Sequence, residues 1–278
     1  MPTEQLGASV RAAPKPNHLG RRALLGLTIL CIMTAASAGL IYTTIEPEEF
    51  FQRDPDGVHR RALLSNVTSW SVRPQLDAAA GANALVLVDA AAFIGPDVSA
   101  VPKRIESRAD DSTRPLFVAG LSVRQVGQLD ELLSRGLDGV FLDARAALRS
   151  AQTEGAGSIR NLADQVVRLA NQARLYNPDF LLVLYNAAEL AADVRVARVI
   201  DGAAQDDLLY GLDGVGIGNS GTEVAALLHD LNRVKRSGRP VFVTEHLDAT
   251  ALVARTIARR KLAELGFIAR IAEPLPPS

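Results

Sequence analysis

The sequence predicts an α/β fold, a small (β/α)₈ TIM barrel, and three observations support this prediction. Short apolar runs alternate with amphipathic stretches from residue 61 to the end of the chain, an order typical of a parallel sheet. Eight runs fit strands, and eight strand–helix units within roughly 210 residues suit a small barrel. Acidic residues follow several of these runs. A doubly wound open sheet is the alternative that the alternation leaves open.

The predicted strands and helices follow from the spacing of their apolar residues. The strands are expected at 63–70, 84–89, 116–121, 139–143, 180–185, 198–203, 240–245 and 267–272. Apolar residues recur every three to four positions in the predicted helices, which are 123–135, 159–176, 222–237 and 250–265. A glycine falls between a helix and a strand at Gly136, Gly238 and Gly266, where a left-handed helix cap is favoured.

The chain before the predicted barrel, which is assigned to 61–278, divides into three segments. Residues 1–22 are polar and basic, and they predict a cytoplasmic tail. Residues 23–42 carry no charge and are just long enough to span a bilayer as one helix. Residues 43–60 are acidic and read as a linker. Because the basic flank stays inside, we expect a single-pass protein of the cell membrane with its barrel outside the cytoplasm.

A cleaved signal is the alternative interpretation of the same apolar segment. Ala36, Ser37 and Ala38 have the small-residue pattern of a cleavage site, and Arg21 with Arg22 loosely resembles a twin-arginine signal. Cleavage would make the protein secreted or periplasmic, whereas a buried helix of a soluble protein is a third alternative. The single cysteine lies within this segment, so the predicted barrel has no disulfide and no thiol nucleophile.

Charge and motif content exclude several classes of function. The chain has 30 basic and 31 acidic residues, so no basic field predicts a nucleic-acid partner. The four histidines are scattered without metal-ligand spacing, and we expect neither a metal nor a cofactor. The Gly-x-Gly-x-x-Gly pattern at 216–221 lacks the preceding strand and acidic partner of a dinucleotide site; it is interpreted as a rim loop.

Polar side chains at the predicted strand ends are the candidate site residues. Catalytic groups of a TIM barrel lie at the carboxyl ends of its strands. Each acid there could instead be solvated or cap a helix. The residues at these ends are Asp89, Asp143, Asn186, Glu189, Asp201, Glu245 and Glu273.

Five motifs, in their order along the chain, carry a resemblance to a known family. They are Ser-Trp at 69–70, Gly-Leu-Asp-Gly-Val-Phe-Leu-Asp at 136–143, Asn-Pro-Asp-Phe at 177–180, Asn-Ala-Ala-Glu-Leu at 186–190, and Ile-Asp-Gly at 200–202 followed by Leu-Leu-Tyr-Gly. In this order they resemble glycoside hydrolase family 114, the endo-α-1,4-polygalactosaminidase-like barrels. The resemblance runs from about Trp70 to the C-terminus.

The resemblance implies an extracytoplasmic barrel that hydrolyses a galactosamine-type polysaccharide. Asp143 and Glu189 would be the paired catalytic acids, as hydrolysis of a glycosidic bond requires two carboxyl groups. The substrate would then contact residues at the other strand ends and in the following loops, namely Asp89, Tyr185, Asn186, Asp201, Tyr210 and Glu245. The expected partners are the polysaccharide and, through the N-terminal helix, the membrane.

Two departures from the family pattern keep a second hypothesis open. The family has an acidic pair after its third strand, where this chain has Ser122, Val123 and Arg124. Aromatic residues of the family after the second and seventh strands are replaced by Ala90 and His246, so sugar-stacking platforms are missing. The alternative is a non-catalytic, membrane-tethered barrel that binds exopolysaccharide or assists its assembly or export.

Overall fold

Eight parallel strands in sequential order form one sheet that curls into a nearly closed barrel. The computed structural model describes residues 57–73, 83–90 and 115–274. The strands are β1 (Ser69–Arg73), β2 (Ala84–Asp89), β3 (Leu116–Ser122), β4 (Gly139–Asp143), β5 (Leu181–Tyr185), β6 (Gly202–Asp206), β7 (Val241–His246) and β8 (Ile268–Ala272). This order confirms the predicted barrel and rules out the doubly wound sheet, which requires a reversal of strand order.

Helices cover the outside of the sheet and connect most neighbouring strands. They are α1 (Val58–Ser65), α2 (Leu129–Ser134), α3 (Arg145–Glu154), α4 (Ala156–Tyr176), α5 (Val194–Val199), α6 (Gly221–Arg236) and α7 (Leu252–Glu264). Two 3₁₀ helices, Val123–Gln128 and Ala188–Ala192, precede α2 and α5. The single helix predicted at 123–135 is therefore split, and its first half starts with a capping box between Ser122 and Gln125.

No helix within the described ranges is long and apolar enough to cross a membrane. The predicted membrane or signal segment at 23–42 lies outside those ranges, as do the predicted tail and most of the predicted linker. Helix α1 begins at Val58, inside the predicted linker, and it includes the first residues of the strand predicted at 63–70.

The barrel is tied between its first and last strands by side chains. Backbone ladders join each strand from β1 to β8 to the next, whereas the described strands β1 and β8 lie together without such a ladder. The indole Nε1 of Trp70 donates to the carbonyl of Ile268 across this seam at 3.2 Å. The guanidinium of Arg270 lies over the same indole ring, 5.7 Å from its centroid.

Aromatic rings fill the interior of the barrel. The Phe141 centroid is 5.7 Å from that of Trp70, 5.8 Å from that of Phe242 and 5.9 Å from that of Tyr185. Strand β4 starts with Gly139, where a Cβ atom would lie 2.3 Å from the carbonyl oxygen of Leu181. Only glycine allows these two strands to approach so closely, and the packed interior confines ligand access to the barrel's ends.

The sixth strand lies several residues beyond its predicted position at 198–203. Residues 194–199 form helix α5, because the Asp193 side chain caps it and accepts from the Arg195 backbone N–H. The strand itself is Gly-Ala-Ala-Gln-Asp, which has no β-branched or aromatic residue to signal a strand.

This shift makes the predicted rim location of Asp201 wrong. The residue lies before β6, at the opposite end of the barrel, where its carboxylate is almost fully buried. It accepts from Arg60 Nε at 3.1 Å, from Arg174 NH2 at 2.7 Å and from the Leu182 backbone N–H at 2.9 Å. Asp201 is therefore an anchor that joins α1, α4 and β5 beneath the barrel.

Candidate active site

Three neighbouring strands deliver polar side chains to the interior at the C-terminal end of the barrel. Asp143 ends β4, Tyr185 ends β5, and Asp206 ends β6. Side chains alternate along a strand, and these residues share the inward face with Phe141, Val183 and Ala204, which belong to the interior cluster. Asp143 is also the register partner of Tyr185.

The centre of this group is the carboxylate of Asp206. Its Oδ2 accepts from the Tyr185 hydroxyl at 2.5 Å and from Asn186 Nδ2 at 3.3 Å. In return, Asn186 Oδ1 accepts from the Asp206 backbone N–H at 2.8 Å. Asn186 has a positive φ of 54°, a conformation that asparagine tolerates better than most residues. The turn after β5 is thus shaped to hold Asp206.

Arg145 links the two aspartates. Its backbone N–H donates to Asp143 Oδ1 at 2.9 Å, and its guanidinium lies 3.7 Å from Asp206 Oδ2. Arg145 is the first residue of α3 and follows the end of β4 by two positions. One short turn therefore positions its contacts with Asp143 and with Asp206.

Tyr185 acts as a hydrogen-bond donor at this site. Burial raises its pKa most, followed by the nearby charge of Asp206 and by their hydrogen bond. The phenol therefore remains protonated over the physiological range, and it donates to Asp206 throughout that range.

We call the C-terminal opening of the barrel the mouth. Strands β7 and β8 form its opposite wall. His246 Nδ1 lies 2.9 Å from Asp207 Oδ1, and this interaction raises the pKa of the imidazole. The contact with Asp207 thus favours the protonated imidazole more than solvent does. Arg270 extends from β8 over Trp70, which places a permanent cation on this wall.

Glu189 does not belong to the polar group that Asp143, Arg145, Tyr185 and Asp206 form. It belongs to the 3₁₀ helix after β5, is largely exposed, and accepts from Gln152 Nε2 of α3 at 2.5 Å. Partial burial and the charge of Asp230 raise its pKa. Within the described chain, no hydrogen bond or ion pair joins it to Asp143. Its catalytic role stays a prediction.

Glu245 is fully buried on the outward face of β7. Its carboxylate accepts from the backbone N–H groups of Leu209 at 2.9 Å and of Tyr210 at 3.1 Å. It holds the loop between β6 and α6 in place, and it does not face the barrel mouth. Asp89 ends β2 with an exposed side chain. The predicted substrate contacts of these residues stay predictions.

The buried carboxylate of Glu245 predicts a pH-dependent stability. Burial raises its pKa from 4.5 to about 7, so the folded state retains a proton that the unfolded state loses first. Stability should therefore fall as the pH rises through this window. Each pKa unit corresponds to about 1.4 kcal/mol, so the free energy of unfolding should fall by about 3 kcal/mol across this window.

Urea unfolding of the wild type and of Glu245→Gln at several pH values measures this effect. The variant removes the titrating group, so the difference in unfolding free energy between the two proteins should change between pH 4.5 and 7 and level off above it. A difference that stays constant across the range would contradict the assignment.

A cavity of about 400 Å³ lies beside the same loop. Tyr210, Asn219, Leu228 and Lys261 contribute to its walls, with apolar side chains of α6 between them. Tyr210 thus lies at this cavity, in the loop that Glu245 anchors. Among the described residues, no group of three or more His, Cys, Asp or Glu side chains could hold a metal ion.

Asp206 is the site residue that sequence reasoning missed. It lay beyond the predicted end of the sixth strand, and the strand's small residues gave no signal of its true position. The pair Asp206–Asp207 before Leu208 was nevertheless visible as an acidic stop after an uncharged run. An acidic pair at this point is consistent with the end of a strand, and that interpretation identifies Asp206 as a site residue.

Comparisons with known proteins fit the fold. No protein-family model matches the chain. An uncharacterized protein of Deinococcus radiodurans is 29% identical over 143 residues, which are 50% of this chain and 44% of that protein. The chain therefore matches less than half the length of this relative.

Solved structures give a broader match. The glycoside hydrolase domain of PelA from Pseudomonas aeruginosa superimposes with a TM-score of 0.53 at 13% sequence identity, covering 75% of this chain and 94% of that domain. At this identity the match concerns the fold, and it agrees with the family resemblance in the motifs. The protein therefore has a TIM-barrel fold like that of glycoside hydrolase family 114, in a divergent form.

Proposed function

We propose that this protein is a glycoside hydrolase whose reacting carboxylates are Asp143 and Asp206. One observation carries the proposal: Asp143, Arg145, Tyr185 and Asp206 form a connected polar group on the inward face of the barrel's C-terminal end. This end carries the chemistry of TIM-barrel enzymes, and two carboxyl groups are the usual requirement for glycosidic hydrolysis. The glycoside hydrolase with a similar fold supports the same class of reaction.

The surroundings of the two acids suit different roles. The guanidinium of Arg145 and the Tyr185 hydroxyl stabilise negative charge on Asp206, so Asp206 acts as nucleophile or as base for water. Asp143 accepts the Arg145 backbone N–H, and we assign it the remaining role, that of the general acid which protonates the departing sugar oxygen. Tyr185 keeps its own proton and positions Asp206.

Features of the sequence support a substrate class and a location for this proposal. The motif resemblance supports an amino-sugar polysaccharide of the galactosamine type, and the carboxylate of Asp89 at the mouth would attract its ammonium groups. The uncharged segment 23–42 with its basic flank supports a membrane-attached or exported barrel outside the cytoplasm.

The test is reducing-end release from a galactosamine-rich polysaccharide by the full-length protein. We expect wild-type hydrolysis and a loss of at least about 100-fold in kcat with Asp143→Asn, as for loss of an acid–base group. Asp213→Asn, an exposed loop substitution of the same kind, is the matched control and should remain active. No release by the wild type, or full activity of Asp143→Asn, would refute the proposal.

The non-catalytic barrel is the second candidate, and one observation favours it. Asp206 Oδ1 is buried without a hydrogen-bond partner, so a substrate could reach this oxygen only after side chains move. Ala90 and His246 also stand where the family has aromatic platforms. Binding of the polysaccharide without release of reducing ends would support this role.

A further inference from the structure

Three adjacent strands carry polar groups that lack hydrogen-bond partners within the described chain. Asp206 Oδ1 and Thr244 Oγ1 are buried without a hydrogen-bond partner, and the Arg270 guanidinium forms no hydrogen bond or ion pair with any residue that the structure describes. The three residues are in register, because Asp206 pairs with Thr244 and Thr244 pairs with Arg270. They form one wall of the mouth, which we call the β6–β8 wall.

Arg270 is the charged member of this wall. Its side chain is half-buried, and burial lowers its pKa, whereas the nearby carboxylate of Asp206 acts in the opposite direction. An arginine nevertheless stays protonated in proteins. A partly desolvated cation without a bonded counter-ion is costly, and a ligand that supplies the counter-charge removes that cost.

The indole of Trp70 holds the guanidinium in a fixed place. The ring lies 5.7 Å from the guanidinium carbon, and stacking on an aromatic face is a preferred arrangement for arginine. Trp70 is itself fixed by its hydrogen bond to Ile268. The cation–π contact therefore restricts where the guanidinium lies before any ligand arrives.

Building on the proposed function, we propose that Arg270 binds an anionic substituent of the polysaccharide, a carboxylate or a sulfate, on the sugar that lies against Asp206. A guanidinium forms two parallel hydrogen bonds with such groups. The polymer then carries acidic groups in addition to its amino groups. The carboxylate of Asp89 lies on another strand, so the mouth presents both signs of charge.

The experiment measures binding and hydrolysis by the full-length protein with four polymers. These are polygalacturonate, a sulfated galactan, a neutral galactan and a galactosamine polymer. The variants are Arg270→Gln and Arg270→Lys, and Arg260→Gln is the matched control, since Arg260 lies exposed on α7. Thermal melts establish that each variant folds, and the lysine variant preserves the charge if the glutamine variant does not fold.

We expect the acidic polymers to bind best. Arg270→Gln should weaken their binding at least about tenfold, as for loss of a bidentate charged pair, and leave the neutral polymer unchanged. Arg270→Lys should bind the acidic polymers with an affinity between those of the wild type and Arg270→Gln, because lysine keeps the charge but lacks the planar donor fork. The better acidic polymer, carboxylated or sulfated, identifies the substituent.

Other outcomes separate this inference from the proposed function. Equal binding of acidic and neutral polymers, or equal weakening of all four by Arg270→Gln, would overturn the anionic site. Cleavage of the galactosamine polymer with no acidic preference would keep the hydrolase and also overturn the anionic site. Arg270-dependent binding of acidic polymers without any cleavage would keep the site and refute the hydrolase.

Discussion

Asp206→Asn is expected to lower kcat by about 10³-fold, within the range attributed to a reacting acid–base group. The substitution removes the negative charge that Arg145 faces and retains an oxygen that can accept from the Tyr185 hydroxyl. The fold should therefore survive, and the melting temperature should stay close to that of the wild type. Reducing-end kinetics and thermal melts of the same preparations measure the two quantities.

Glu189→Gln is the informative comparison for this prediction. The Glu189 carboxylate contacts Gln152 on the helical layer, so we expect a change of less than about tenfold, far below the range for a reacting group. If Glu189→Gln abolished hydrolysis and Asp206→Asn did not, the reacting pair would be Asp143 with Glu189. The assignment of Asp206 would then be wrong.

Asp201→Asn is expected to cost about 3 to 5 kcal/mol of unfolding free energy, as when one partner of a buried ion pair is removed. The substitution removes the charge that the buried guanidinium groups of Arg60 and Arg174 share. It also weakens the acceptor for the Leu182 backbone N–H. Urea unfolding at neutral pH measures the loss.

A surface pair at the same end of the barrel provides the control. Asp179 lies 3.0 Å from His59, and both side chains are more than half exposed. Asp179→Asn should therefore change stability by less than about 1 kcal/mol. Similar losses for the two substitutions would mean that burial does not set the strength of the Asp201 contacts.

The sequence contained enough information for the barrel because most strands are apolar and well separated. Strands β2, β4, β5 and β7 lie close to their predicted positions, since long buried runs of Val, Leu and Phe have few other interpretations. The sixth strand is built from small residues, and the error there misplaced Asp201 and hid Asp206. One weak strand signal therefore changed the list of site residues.

Whether a strand residue points into the barrel or away from it was harder to predict than its position along the strand. Strand β7 is buried on both faces, so its sequence shows no alternation that separates inward from outward residues. Glu245 therefore read as a rim residue, although it faces the loop behind the barrel. Only the packed structure distinguishes the inward His246 from its neighbour.

The seam between β1 and β8 makes two sides of the barrel depend on different kinds of contact. Side chains hold β1 and β8 together, with Trp70 as the main tie, whereas backbone ladders join the strands that carry Asp143, Tyr185 and Asp206. The position of Arg270 therefore rests on side-chain packing at the seam, and the spacing of the two reacting acids rests on the backbone of the sheet.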